Sequence, residues 1–123
     1  MRIAILCAFL SVSSPVLAQE GFATFYTEKS CQAEGNSGKV TASGEVFDEG
    51  AMTCALRRRD WGSEFVVYGQ KTERSVVVRL NDFGPGRKPT KRGVIIDLTP
   101  MAFKKVCGDI SIGKCLVNVQ EVQ

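Results

Sequence analysis

Two aspartates, Asp82 and Asp97, each follow an apolar segment rich in β-branched residues. In the first segment Val76, Val78 and Leu80 fall on one face of a strand. The alternation then carries Asp82 to the same face, at the rim of an apolar interior. Partial desolvation there favours the protonated carboxyl that a general acid requires. The same aspartate could instead accept backbone N–H groups in the turn written DFGPG, and the residues alone leave both roles open.

Asp97 lies opposite Val94 and Ile96 in the second segment and shortly before a predicted helix. We predict a structural role for it, accepting hydrogen bonds around the helix start. This assignment disfavours any mechanism that needs two catalytic carboxylates.

A polar stretch over residues 39–62 has four polar groups close together in sequence: Thr41, Ser43, Glu45 and Asp48. This stretch predicts either an ordinary polar loop or the lining of a cleft for a hydroxyl-rich ligand. The chain has no histidine, which excludes Ser-His-Asp and Cys-His nucleophile systems. Three aromatic residues are candidate stacking surfaces for sugar rings: Tyr26, Trp61 and Phe83.

Short segments bounded by glycine or charged turns must position these groups. Five of them read as strands: GFATFYT, SEFVVYG, SVVVRLN, GVIIDL and CLVNVQEV. In the last one Cys115, Val117 and Val119 share a face, the alternation of a half-buried strand. The sequence therefore predicts a mainly β domain, most economically a single small barrel.

One short helix is predicted after Asp97. Thr99 can cap it, Pro100 suits its first position, and Gly108 ends it after about two turns. Its apolar side is assigned to Met101, Phe103 and Val106.

The first eighteen residues, 1–18, have the layout of a secretory signal, with a basic start, an apolar run and small residues up to Ala18. Residues 19–123 are then the barrel domain. Cys7 follows the bulky Leu6, so we expect no lipid anchor, and no later segment is apolar enough to span a membrane. The product is expected to be periplasmic or secreted.

Charge is modestly positive, with a net charge of +3 over the whole chain, which does not indicate a nucleic-acid partner. The cations cluster at residues 57–59, 87–88, 91–92 and 104–105. These clusters indicate either solvated loops or surfaces that attract anionic wall material.

Four cysteines remain after the leader, an even count that favours two disulfides in an oxidising compartment. Three pairings are possible, and sequence proximity favours Cys31 with Cys54 and Cys107 with Cys115. Without histidine or any C-x-x-C pair, a zinc site is disfavoured, and we expect no metal and no cofactor.

The chain resembles the RlpA-like double-psi β-barrel proteins, bacterial lytic transglycosylases that act on peptidoglycan glycan strands. The likeness rests on four segments in order: GFATFYT, TASGEVFDEGAMTCA, SVVVRLNDFGPG and RGVIIDLTPMAF. It implies a six-stranded barrel with one or two short helices, Asp82 as the catalytic acid and Glu45 as a second active-site residue. We take five more residues as substrate-binding: Thr41, Ser43, Arg79, Asn81 and Phe83.

The resemblance also implies chemistry in which one carboxyl protonates the glycosidic oxygen and then takes the proton of the C6 hydroxyl, closing a 1,6-anhydro ring. The family's histidine within MTCALRRRDWG is Leu56 here. Its loss removes a hydrogen-bond partner that would orient the acid, whereas Leu56, if adjacent, would desolvate Asp82 and favour its protonated form. A weakened, an altered and an inactive enzyme are all open. The expected partner is a peptidoglycan strand or another wall polysaccharide, bound by a monomer. The appended peptidoglycan-binding repeat domain of many relatives is expected to be missing, which disfavours septal targeting. The alternatives are an expansin-like, non-catalytic wall-binding module or a small secreted protein that binds another protein.

Overall fold

A computed structural model describes residues 18–29 and 40–123. Within them six strands form a closed barrel in the order β1-β5-β2-β4-β3-β6. The pairs β1/β5 and β2/β4 are parallel and the other four pairs are antiparallel. The predicted six-stranded, mainly β barrel is confirmed. The strands are β1 Gln19–Phe25, β2 Thr53–Leu56, β3 Glu64–Gly69, β4 Ser75–Phe83, β5 Val94–Leu98 and β6 Cys115–Glu121.

Alternating apolar residues fill the barrel, as the sequence pattern predicts. In β6, Val117 and Val119 face the core while Leu116 and Gln120 are exposed. Strand β2 has no such pattern, because all four of its residues are buried. Periodicity cannot identify a strand of this kind, and the sequence segments described above do not include it as one.

Helix α1 spans Arg87–Lys91, inside the loop GPGRKPTKRG, and helix α2 spans Pro100–Cys107. The predicted cap of α2 is present, since the Thr99 hydroxyl accepts the Ala102 N–H at 3.3 Å. Gly108 follows the helix with a φ of 101°, a conformation that favours glycine. The assignment of Met101 to the buried side is wrong: it is 38% exposed, and Ala102 takes the inner position. A 3₁₀ turn, Ile110–Ile112, leads into β6.

A β-bulge interrupts β4 just before its end. Leu80 pairs with Cys54, but the next pair joins Asp82 to Ala55, so Asn81 is an extra residue in β4. Directly paired residues share a face, and Ala55 faces away from Cys54. Asp82 therefore lies on the outer face, opposite Leu80. The prediction that it continues the apolar face is wrong, because the bulge shifts the alternation by one residue.

The two predicted disulfides have different outcomes. The Cys107–Cys115 bond is confirmed and closes the turn between α2 and β6. Cys54 is a free thiol with no exposed surface, so its predicted bond to Cys31, which lies outside the described residues, is wrong. The reason is position: Cys54 points into the core from a strand that has neighbours on both sides. Burial raises the pKa of its thiol to about 12.

We expect maleimide to leave Cys54 unlabelled in the native protein at about pH 8, because a buried, protonated thiol is a poor nucleophile. In denaturant without reductant, Cys54 should be fully labelled, as read by peptide mass mapping. Cys107 and Cys115 are the internal control and should stay unlabelled under both conditions. Resistance of Cys54 in denaturant would show that it is disulfide-bonded after all.

The predicted signal over residues 1–18 lies, apart from Ala18, outside the described residues. Among the described residues, no helix has the length and apolar character needed to cross a bilayer.

Candidate active site

Glu45 is held against β4 by two side chains of that strand. Arg79 donates to both carboxylate oxygens, with Nη1–Oε2 at 2.6 Å and Nη2–Oε1 at 3.0 Å. Asn81, the bulge residue, donates from Nδ2 to Oε1 at 3.0 Å. The hydrogen bonds from Arg79 and Asn81 hold the pKa of Glu45 below its ordinary value. Glu45 is thus a fixed, ionised acceptor, and the bidentate geometry sets its orientation.

The loop that carries Glu45 folds back on itself and docks on the bulge. Thr41 N–H donates to the Glu45 carbonyl at 2.8 Å, and Ser43 N–H donates to the Asn81 carbonyl at 3.2 Å. The hydroxyls of Thr41 and Ser43 lie 2.9 Å apart. Thr41 is buried within the loop, and these contacts hold the loop together. Gly44 permits the turn with a φ of 96°.

Asp82 meets this loop at the end of β4. Its Oδ1 accepts the backbone N–H groups of Ala42 and Phe83, both at 2.9 Å. Its Oδ2 accepts no hydrogen bond from the part of the chain that the structure describes, and the residue is half-buried. One oxygen is therefore anchored while the other is available to a ligand. Asp82 and Glu45, predicted as a pair, are brought together by this loop.

Asp97 lies on the same outer face as Asp82, one strand further on. Ala55 pairs with Asp82 on one side and with Asp97 on the other, which sets the two Cα atoms about 10 Å apart. The floor between them is shallow, because a Cβ on Gly84 would lie 3.4 Å from Asp97 Oδ2 and 3.5 Å from Ala55 Cβ. The Thr24 hydroxyl donates to Asp97 Oδ1. Sequence reasoning placed Asp97 at the helix start and missed this position, which only the β2–β5 pairing reveals.

Leu56 lies on the inner face of β2 and packs in the core, 8% exposed. Its partner across β4 is Phe83, and its neighbour Ala55 is the residue that pairs with Asp82. The hypothesis that Leu56 would desolvate Asp82 is therefore not supported, because the two side chains leave β2 and β4 on opposite faces.

Phe83, next to Asp82 in the chain, is 36% exposed and contacts two guanidinium groups. The guanidinium carbons of Arg57 and Arg59 are 5.2 and 4.4 Å from the ring centroid, within the range of cation–π contacts. Two other residues were candidate stacking surfaces. The Tyr26 ring stacks on the Phe47 ring, with the centroids 4.8 Å apart, and Trp61, which precedes β3, is 36% exposed. Sequence reasoning found the arginine cluster but did not connect it to the site.

The Glu45–Arg79 pair predicts a pH dependence. Because the folded-state pKa of Glu45 is lowered, the ionised pair contributes to stability above the unfolded-state pKa, and this contribution is lost as pH falls through the folded-state value. We expect the ¹³C carboxyl resonance of Glu45 to titrate below the ordinary glutamate range, and the midpoint to rise in Arg79→Met. Arg74→Met, which removes an arginine at the opposite end of the barrel, is the control and should leave the midpoint in place. Equal midpoints in the wild type and Arg79→Met would contradict the pairing.

A closed barrel of six strands in this mixed order, with an acidic cleft on the ends of β2 and β4, defines a double-psi β-barrel protein. Residues 18–119 match the model of the lytic transglycolase family. The chain belongs to that family.

Two relatives illustrate the likeness in sequence. The probable endolytic peptidoglycan transglycosylase RlpA of Nostoc sp. is 39% identical over 108 residues, which is 88% of this chain and 27% of the relative. The endolytic peptidoglycan transglycosylase RlpA of Pasteurella multocida is 35% identical over 106 residues, which is 86% of this chain and 32% of the relative. The chain thus spans between a quarter and a third of the length of these curated relatives.

Two solved structures share the fold. Streptomyces papain inhibitor superposes with a TM-score of 0.64 at 20% identity, covering 90% of this chain and all of that one. An expansin of Clavibacter michiganensis gives a TM-score of 0.60 at 21% identity, covering 87% of this chain and 51% of that one. At these identities the likeness concerns the fold alone.

Proposed function

We propose that this protein is an exported lytic transglycosylase that cleaves peptidoglycan glycan strands to 1,6-anhydro products, with Asp82 as both acid and base. The observation that carries the proposal is the Asp82 carboxyl, with one oxygen anchored by two backbone N–H groups and the other open. Family membership and the names of the relatives support the reaction class. The leader-like composition of residues 1–18 supports export.

The reaction uses Asp82 twice. The protonated carboxyl donates its proton to the glycosidic oxygen as the bond from that oxygen to C1 breaks. The resulting carboxylate then takes the proton of the C6 hydroxyl of the same sugar, and the C6 oxygen bonds to C1. Asp82 ends protonated, as it began, and no water is consumed.

Two further carboxylates assist without exchanging a proton. Glu45, ionised and fixed by Arg79, accepts hydrogen bonds from sugar hydroxyls. Asp97, across the Ala55–Gly84 floor, supplies negative charge to the face where the oxocarbenium-like centre develops. Ser43 and Phe83 border the cleft as a polar contact and an apolar surface for the sugar, while Asn81 acts by positioning Glu45.

The two-carboxylate geometry also suits hydrolysis, which uses a second carboxylate as base or nucleophile. The products separate the two reactions, because hydrolysis leaves a reducing sugar and transglycosylation leaves a 1,6-anhydro sugar. We therefore expect the protein to release 1,6-anhydro fragments from peptide-free glycan strands, detected by mass spectrometry beside an active relative. Reducing-end fragments alone would show a hydrolase. Binding without any cleavage would favour the expansin-like, non-catalytic alternative.

A further inference from the structure

A band of cations lies beside the acidic cleft at one end of the barrel. Strands β2 and β4 end there and β5 begins there, with α1 in the connection between β4 and β5. The Arg57 Nη1 donates to the Pro85 carbonyl at 2.7 Å, and Arg57 and Thr90 of α1 line the same cavity of about 440 Å³. We call this surface the cationic rim; its members are Arg57, Arg59, Arg87, Lys88, Lys91 and Arg92.

The charges of the cationic rim are not neutralised within the described residues. Among the described residues, the ion pairs join Arg58 to Asp60 and Glu121, and Arg79 to Glu45. No member of the cationic rim takes part in them. The exposed cations of α1 therefore attract anions from solution, with a range of about 8 to 10 Å at physiological ionic strength.

Two members of the cationic rim, Arg57 and Arg59, contact Phe83, the residue next to Asp82. Contact with the ring limits the positions of the Arg57 and Arg59 guanidinium groups, whose charge lies over the ring face. The Arg59 guanidinium donates no hydrogen bond to any residue that the structure describes, so its N–H groups remain for a ligand. A planar guanidinium of this kind binds a carboxylate with two parallel hydrogen bonds.

The charge distribution identifies the ligand. The Glu45 charge is balanced by Arg79, but Asp82 and Asp97 make the cleft acidic, so an anionic strand is repelled by the cleft itself. A wall glycan carries carboxylates, either on its sugars or on its stem peptides, and cations beside the cleft offset the repulsion. We propose that the cationic rim is a subsite for the carboxylates of the glycan substrate and holds them to one side of the bond that Asp82 protonates. This inference rests on the proposed function for the identity of the strand.

The test measures binding, so that it does not depend on cleavage. The full chain is sedimented with insoluble peptidoglycan in three forms: untreated, stripped of stem peptides, and amidated by carbodiimide with a neutral amine. We expect amidation to weaken binding about three- to tenfold, and a rise in salt from about 0.05 to about 0.3 M to weaken binding to the untreated wall similarly. Retained binding to peptide-free strands assigns the carboxylate to the sugar, and its loss assigns it to the stem peptide.

Variants locate the effect on the protein. Arg59→Gln and the double variant Arg87→Gln/Lys88→Gln should each weaken binding to the untreated wall about three- to tenfold and bind the amidated wall like the wild type. Lys71→Gln/Lys105→Gln removes the same charge as the double variant at the opposite end of the barrel and should bind like the wild type. Equal loss in this control, or no effect of amidation, would overturn the subsite. Carboxylate-dependent binding without anhydro products would instead overturn the proposed function and leave the subsite standing.

Discussion

Asp82→Asn should lower the rate of 1,6-anhydro product release by at least about 100-fold, because a positioned acid–base group contributes roughly 10²- to 10⁴-fold in rate. The asparagine keeps an oxygen for the Ala42 and Phe83 N–H groups but cannot donate and retake the proton. The measurement is product release per unit time from peptide-free strands. Sedimentation with the same strands should show unchanged binding.

The matched control is Asp109→Asn. Asp109 caps the 3₁₀ turn at the opposite end of the barrel, and asparagine can cap as well. Its activity and melting temperature should equal those of the wild type. Asp82→Asn with more than about a tenth of the wild-type rate would exclude Asp82 as the proton donor.

Phe103→Ala should lower the free energy of unfolding by about 3 to 5 kcal/mol. Phe103 is fully buried in α2, with its ring centroid 5.0 Å from that of Phe25 in β1. A loss of this size is a large part of the roughly 5 to 15 kcal/mol that stabilises a typical domain. Urea denaturation followed by circular dichroism measures it.

Met101→Ala is the control on the same helix. Because Met101 is 38% exposed, its truncation should change the free energy of unfolding by less than about 0.5 kcal/mol. A similar loss in both variants would contradict the orientation of α2, and would favour the sequence-based assignment of Met101 to the buried side.

Local signals predicted much of the fold. The alternation of apolar and polar residues predicted five strands, and Thr99 followed by Pro100 predicted the start of α2. Both signals lie in residues that are close together in the sequence. Strand β2 was not predicted because every residue in it is buried, which removes the alternation. Helix α1, with sequence RKPTK, was not predicted because it has no apolar side. The segments alone predicted a small barrel, and its count of six strands came from the family resemblance.

The site was predicted less completely, for a physical reason. Asp82 and Glu45 were assigned from the resemblance, and the structure places them on one loop-and-strand unit. The residue types around Asn81 do not indicate a bulge, so the sequence predicted the wrong face of β4 for Asp82. The position of Asp97 depends on the pairing of β2 with β5, which joins segments far apart in the chain.

The bulge at Asn81 has a consequence for how β4 can change in evolution or design. Removing Asn81 would leave the strand composition almost intact, yet it would turn Asp82 toward the core. A substitution at this point alters the contacts of one side chain. A deletion moves the side chains that follow it in β4 to the opposite face of the sheet. The end of β4 should therefore tolerate changes of residue type better than changes of length.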